Sequence, residues 1–384
     1  MPKISAIICE YNPMHAGHML HIAKTRRLTS CDYVVCIMSG SFTQRGEPAV
    51  FDKFSRARAA LCGGADMVIE LPTLFSCASA EKFAMGGVFL ADSSNIVDHL
   101  SFGCENADIS LLDKTAHLLC DQPDTFRSSL KNHLDSGMSF PRARERAVCS
   151  ILPEAEGVLS SPNNILAIEY LKALIRLKSK ISPVAVKREG SAYLEKQLLD
   201  VPSALALREA LKKGKNLNSL IPSEINTYSR PAVFCDALFL PAMLKLRTMS
   251  VSQLDEIEGV SEGLSYRLKD ASKYAESYDE LLFLIKSKRY PLSRLCRILL
   301  NIILDIKKDA PALPSYIRVL GVKKSARPLL TLLSSNSSLP VVVSPVGICD
   351  PELARDIAAS DIRALLESPP APACEDFTHG LIVI

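Results

Sequence analysis

Twelve cysteines are spread over the 384 residues without one Cys-x-x-Cys pair, and Cys31 and Cys36 are the closest two. The paired spacings of zinc ribbons and dithiol redox sites are therefore excluded. Most cysteines stand in apolar segments, as Cys9, Cys36, Cys120, Cys149 and Cys296 do. Small buried thiols in a reduced compartment have that distribution. No apolar run is long enough to cross a bilayer. The opening Met-Pro-Lys-Ile-Ser lacks the apolar region of a signal peptide. A cytoplasmic protein without a membrane partner is expected. Internal repeats and long low-complexity tracts are missing too. Net charge is only +3, so the chain as a whole has no basic character.

What is present is enough for real cores: 48% of residues are hydrophobic, and the length suits two or three domains. The small net charge is also unevenly placed. From Lys286 to Arg327 there are eleven Lys or Arg against two Asp, a net of +9, so the remainder totals −6. A polyanion is the natural partner of such a segment, and a solvated helix face is its ordinary alternative. Arg294 and Arg297 are three apart on an expected helix and share a face. With Lys288 and Arg289, just before Pro291, they are the candidate RNA contacts.

The first hundred residues alternate strand and helix. Strands are expected at Ile4–Cys9, Tyr33–Met38, Met67–Leu71 and Val97–Phe102. Helices are expected at His18–Arg27, from Asp52 to about Cys62, and at Ser79–Ala91. That order predicts an α/β fold, a doubly wound parallel sheet with right-handed crossovers. Ligands in such sheets bind beyond the carboxyl ends of the strands. Residues 108–160 read as a helical insertion, Asn163–Lys178 as an amphipathic helix, Pro183–Lys187 as a fifth strand, and Ser203 as the start of a helix. After residue 229 the chain turns mainly helical, with a small α/β end from Ser315. Two units are expected: an α/β domain over 1–229 that holds the ligand crevice, and a mainly helical domain over 230–384 that carries the polyanion-binding candidates.

The most informative stretch is Ala6–His18. A buried strand runs into Asn12-Pro13, and His15-Ala16-Gly17-His18 opens a helix. Bare N–H groups at a helix start hold phosphate, and Gly17 leaves room for a nucleotide against the backbone. His15 and His18 can donate to charge building on phosphate oxygens. A zinc pair is disfavoured, because no nearby Cys or acidic cluster completes a site. Gly103 at a strand end, Asn163 and Asn164 at a helix start, Lys187 and Arg188 after the fifth strand, and Ser203 are further candidates along the same edge. Each also has a plain structural reading as a turn, an N-cap or a surface hairpin.

In order along the chain, these pieces resemble the bacterial tRNA(Met) cytidine acetate ligases, within the His-x-Gly-His nucleotidyltransferases. The residues that carry the resemblance are Glu10–His18, Met38–Ala49 with its Gln44-Arg45-Gly46-Glu47-Pro48 loop, Phe51–Lys53, Asp66–Pro72 and Ser79–Glu81. Leu100–Gly103, Pro162–Leu166, Lys187–Gly190 and the stretch from Ser287 to Arg297 extend it over nearly the whole chain. Met14 departs from an expected Phe, and Leu205 from an expected Thr.

The resemblance implies an enzyme that activates acetate with ATP and Mg²⁺ as acetyl-adenylate. It would then acetylate the wobble cytidine of elongator tRNA(Met). His15, His18 and Arg188 would be catalytic. Nucleotide contacts would come from Ile7, Ile8, Cys9, Glu10, Tyr11, Asn12, Pro13, Met14, His15, Ala16, Gly17, His18, Met19 and Leu20, with Gly103, Asn163, Asn164, Lys187, Arg188 and Ser203. Gln44 and Arg45 would meet substrate, and no protein-held metal is expected. A small-molecule adenylyltransferase is the main rival. It has no need of a +9 segment. A non-catalytic RNA-binding protein is the third reading, and the intact histidines argue against it.

Overall fold

A computed structural model describes residues 2–188, 202–261, 263–287 and 290–384. Its central sheet begins with β1 (Ile4–Cys9), β2 (Tyr33–Ser39), β3 (Met67–Leu71) and β4 (His99–Cys104). Strand side chains alternate between faces, and here both faces are covered. Val35 and Ile37 of β2 join one core, while Val34, Cys36 and Met38 join the other. The helices Ala80–Ser93 and Pro162–Leu177 cover the first face. Ala16–Thr29, Lys53–Cys62 and Ala204–Lys212 lie on the second. Asp52, Ser79 and Ser203 cap their helices by accepting backbone N–H bonds, as side-chain oxygens at those positions do.

Strands β1, β2 and β3 run side by side and parallel, and β4 lies on the other side of β1. The order therefore reverses beside β1, which places the ligand crevice at its carboxyl end. β5 (Ser182–Lys187) adds to β4 in parallel as the expected fifth strand. Gly103 was expected just after β4. It lies inside the strand, opposite Val186, because pairing with β5 carries the ladder on to Cys104. The insertion forms three helices, Ile109–Asp121, Asp124–Asp135 and Phe140–Cys149.

Beyond residue 229, helices Phe239–Thr248, Val251–Glu256, Leu264–Tyr274, Tyr278–Ile285 and Leu292–Ile303 pack as one group. The small α/β end does not stand apart with them. β6 (Ile317–Val322) pairs antiparallel with β3, and β7 (Val341–Val342) and β8 (Ile382–Val383) pair with β6. The sheet thus crosses the boundary expected at residue 229. A buried ionic cluster fastens this end: Lys53 Nζ lies 2.8 Å from Glu70 and 2.7 Å from Asp376, and Arg318 lies 2.5 Å from Asp376.

Candidate active site

The turn after β1 is held by partners distant in sequence. Tyr11 takes a left-handed conformation, φ 46°, which costs a non-glycine residue about 1–2 kcal/mol. Its ring packs against His18 with centroids 4.8 Å apart, and its hydroxyl lies 3.3 Å from Cys36 Sγ. Asn12 Oδ1 accepts from Val50 N at 2.7 Å, and Asn12 O accepts from Arg208 at 2.8 Å. Met14 N donates to the Tyr228 hydroxyl at 3.0 Å.

His15 is the N-cap of helix Ala16–Thr29. Its Nδ1 accepts from Gly17 N at 3.1 Å, and His18 Nδ1 accepts from His15 N at 3.3 Å. An imidazole whose Nδ1 accepts carries its proton on Nε2. Both rings, 3.8 Å apart, can therefore offer only Nε2–H outward. Burial pushes His15 down to about 4, with the Arg188 guanidinium adding to the effect. His18 is lowered well below the ordinary value by burial, His15, Arg188 and His21. The pair is thus neutral at physiological pH and can offer fixed donors rather than charge.

Positive charge comes from neighbouring side chains. A small cavity of about 60 Å³ is lined by His15, Gly17, His18, Lys24, Arg188 and Ser203, among others, and Leu20, Gly103 and Lys187 also border it. It adjoins a cavity of about 180 Å³ that shares His15, His18, Gly103, Arg188 and Ser203. The larger one reaches from these residues past Ile7, Ile8, Cys9, Glu10, Tyr11 and Asn12 to Gln44 and Arg45. Phe83, Phe102, Leu166 and Tyr170 form its apolar wall. The arrangement suits a nucleoside triphosphate at one end and a small acceptor at the other.

Most candidates from the sequence thus meet on two joined cavities. Pro13, Met14, Ala16, Met19 and Asn164 do not line them. Met14 is fully buried in the core. Asn164 Oδ1 accepts from Glu105 N and Asn106 N, both at 3.0 Å, so it fixes the loop after β4. Asn163 lines the larger cavity and donates to Glu105 Oε1 at 2.6 Å.

His21, Lys24 and Arg208 also line these cavities, and the motif reading did not single them out. His21 and Lys24 recur at three-residue steps from His18, one turn apart on the same helix face. Burial pushes His21 down to about 4, and its Nε2 lies 3.1 Å from Ser101 Oγ.

The basic segment is more divided. Lys288 and Arg289 lie outside the described residues. Arg294 lies over the Tyr290 ring at 4.6 Å and donates to Gly259 O at 3.3 Å. Arg297 donates to Gln44 O at 3.4 Å. Both arginines border a cavity of about 220 Å³ that also takes in Lys82. Lys307 pairs with Glu256 at 3.2 Å, and Arg318 is buried in the ionic cluster.

The family model described as "HIGH Nucleotidyl Transferase" matches residues 2–375. The tRNA(Met) cytidine acetate ligase of Acetivibrio thermocellus is 36% identical, with 100% of each chain covered. That of Clostridium perfringens (strain SM101 / Type A) is 39% identical, with 95% of each covered. Among solved structures, Thermotoga maritima TmcAL in its apo form superposes with a TM-score of 0.91 at 29% identity. The same protein bound with alpha-thio ATP gives 0.90 at 28% identity, and both cover 100% of each chain.

Proposed function

The chain belongs to the HIGH nucleotidyltransferase family, and from that premise we infer that it is an ATP-dependent tRNA(Met) cytidine acetate ligase. The observation that carries the reading is the His15–His18 pair: two neutral rings with fixed Nε2–H donors beside Arg188, on a cavity that continues to the Gln44–Arg45 loop. Adenylation asks the protein for positioning and for neutralisation at the phosphates, with little covalent help. In this reading a carboxylate oxygen of acetate attacks the α-phosphorus, and pyrophosphate leaves. His15 and His18 donate to the phosphate oxygens, while Lys24, Lys187 and Arg188 neutralise the triphosphate. The wobble cytidine amine then attacks the acetyl carbonyl, and AMP leaves.

ATP lies across the turn Ile7–Leu20, with Gly103, Asn163 and Ser203 around it. Among the described residues, no three His, Cys, Asp or Glu side chains converge to hold a metal. We therefore place Mg²⁺ on triphosphate oxygens and water, its usual manner of binding. Gln44 and Arg45 face the acceptor. The helices of 239–303 form the tRNA-facing unit, with Arg294 as a phosphate contact, and the strands after 316 belong with the catalytic sheet. The cytoplasm is the proposed location, in keeping with twelve free cysteines. Incubation with ATP and labelled acetate, with and without tRNA, tests the reading. Label in tRNA(Met) with release of AMP is expected. AMP attached to a small metabolite would favour the rival adenylyltransferase.

A further inference from the structure

Glu10 differs from three buried glutamates that ion pairs fix in the fold. Glu70 is gripped by Lys53 and Arg318, Glu169 by Arg144 and Lys172, and Glu367 by Arg230 and Arg363. Glu10 lies instead in the fields of Arg208 and Arg45. It directly follows the last residue of β1 and lines the larger cavity with His15 and His18. One carboxylate oxygen accepts from Gln44 N at 2.8 Å. The other meets no hydrogen-bond donor among the described residues. Burial pushes this carboxyl up and Glu47 adds to the rise, against the pull of the Gln44 amide, Arg208 and Arg45. A desolvated carboxylate is a stronger base than one in water.

The second half-reaction needs such a base. A cytidine amine is a weak nucleophile and must shed a proton as the new bond forms. None of the three imidazoles in the lining is suited to receive it: in His15 and His18 each Nδ1 is occupied by a backbone N–H and each Nε2 bears hydrogen, and His21 Nε2 is engaged with Ser101 Oγ. Glu47, the other carboxylate in the lining, exerts its field on Glu10 and also on Cys235, Tyr278 and Cys296, so it is the competing candidate that the test below must separate.

Resting on the ligase reading, we propose that Glu10 is the proton acceptor of acyl transfer. The amine nitrogen bonds to the acetyl carbonyl carbon, and its proton passes to the open oxygen of Glu10. The carbonyl-to-phosphate C–O bond breaks, and its electron pair leaves with AMP. The Gln44 peptide orients the base, since its N–H holds Glu10 while its C=O receives Arg297. The helix Leu292–Ile303 is thereby tied to the proton acceptor.

The variant E10Q keeps an oxygen for the Gln44 N–H and cannot take the proton. Two rates are measured on one preparation: acetate-dependent ATP–pyrophosphate exchange, and single-turnover transfer of labelled acetyl to tRNA(Met). Transfer should fall about 10²–10⁴-fold, the usual range for a lost general base. Because Glu10 also lies in the turn that holds ATP, exchange falls as well, but transfer should fall at least about tenfold further, with acetyl-adenylate accumulating. Wild-type transfer in E10Q, or equal losses in both rates, would overturn the proposal. So would the same split appearing in E47Q instead. Should E10Q fail to fold, E10D must show the split in milder form, and equal losses there also overturn it. A wild-type enzyme without acetate-dependent exchange would instead sink the ligase reading itself.

Discussion

The turn at residues 9–18 and the basic stretch at 286–327 both concentrate chemistry-bearing side chains, yet the fold spends them differently. In the turn, one strand end and one helix start bring Glu10, His15 and His18 to a single cavity within nine residues. In the basic stretch, cations near in sequence part company. Arg318 is buried against Asp376, Arg297 supports Gln44, and Lys307 answers Glu256. A charge count along a chain is therefore not a surface, whereas a strand–turn–helix motif carries its own geometry.

Arg318→Ala should have the largest effect. Removing one partner from a buried ion pair costs about 3–5 kcal/mol, because the remaining charge is stranded. The melting temperature should drop strongly, while folded protein at low temperature keeps its tRNA salt dependence. An unchanged melting temperature would return Arg318 to the surface and the segment to a simple polyanion site.

His18→Ala should leave the fold standing and cut acetate-dependent exchange about a hundredfold or more. A lost preorganised donor to a developing oxyanion is worth roughly 3 kcal/mol. Near-normal exchange would remove His18 from the chemistry.

Two arginines three residues apart should then separate. Arg294→Ala should reduce the slope of tRNA affinity against salt by about one unit and spare exchange. Arg297→Ala should slow exchange severalfold even without tRNA, since its guanidinium supports the acceptor loop. Identical behaviour of the two variants would dissolve the distinction.

The smallest effect concerns pH. The competent imidazoles are neutral, and His15 is held down at about 4. Activity that depends on the His15 ring should be lost only as pH falls toward 4, so exchange should show no histidine limb near 6.5. Such a limb, absent from a His15→Asn variant, would contradict the burial argument.

Legibility in the sequence follows the same divide. β1 runs Ile4–Cys9 as its apolar run indicates, and Asp52 and Ser203 cap the helices expected of them. These are local events, set by neighbours in the chain. Gly103 was misplaced by one strand end because pairing with β5, some eighty residues on, sets where β4 stops. The α/β end was assigned to the helical unit because nothing local announces that β6 lies antiparallel beside β3. Asn163 and Asn164 both bond to the loop at Glu105, and only Asn163 lines the cavity, a difference set by a loop some sixty residues away rather than by local sequence. Arg208 escaped notice because its role comes from a bond to Asn12, far away in sequence.

The ligase reading requires that this site activate acetate with ATP and hand it to a cytidine of tRNA(Met). Wild-type enzyme, ATP, labelled acetate and total tRNA should be incubated together, and the tRNA digested to nucleosides. Label should appear in N-acetylcytidine from elongator tRNA(Met), with one AMP released per acetyl transferred. Unlabelled tRNA, with ATP consumed and AMP found on a small acceptor, would contradict it.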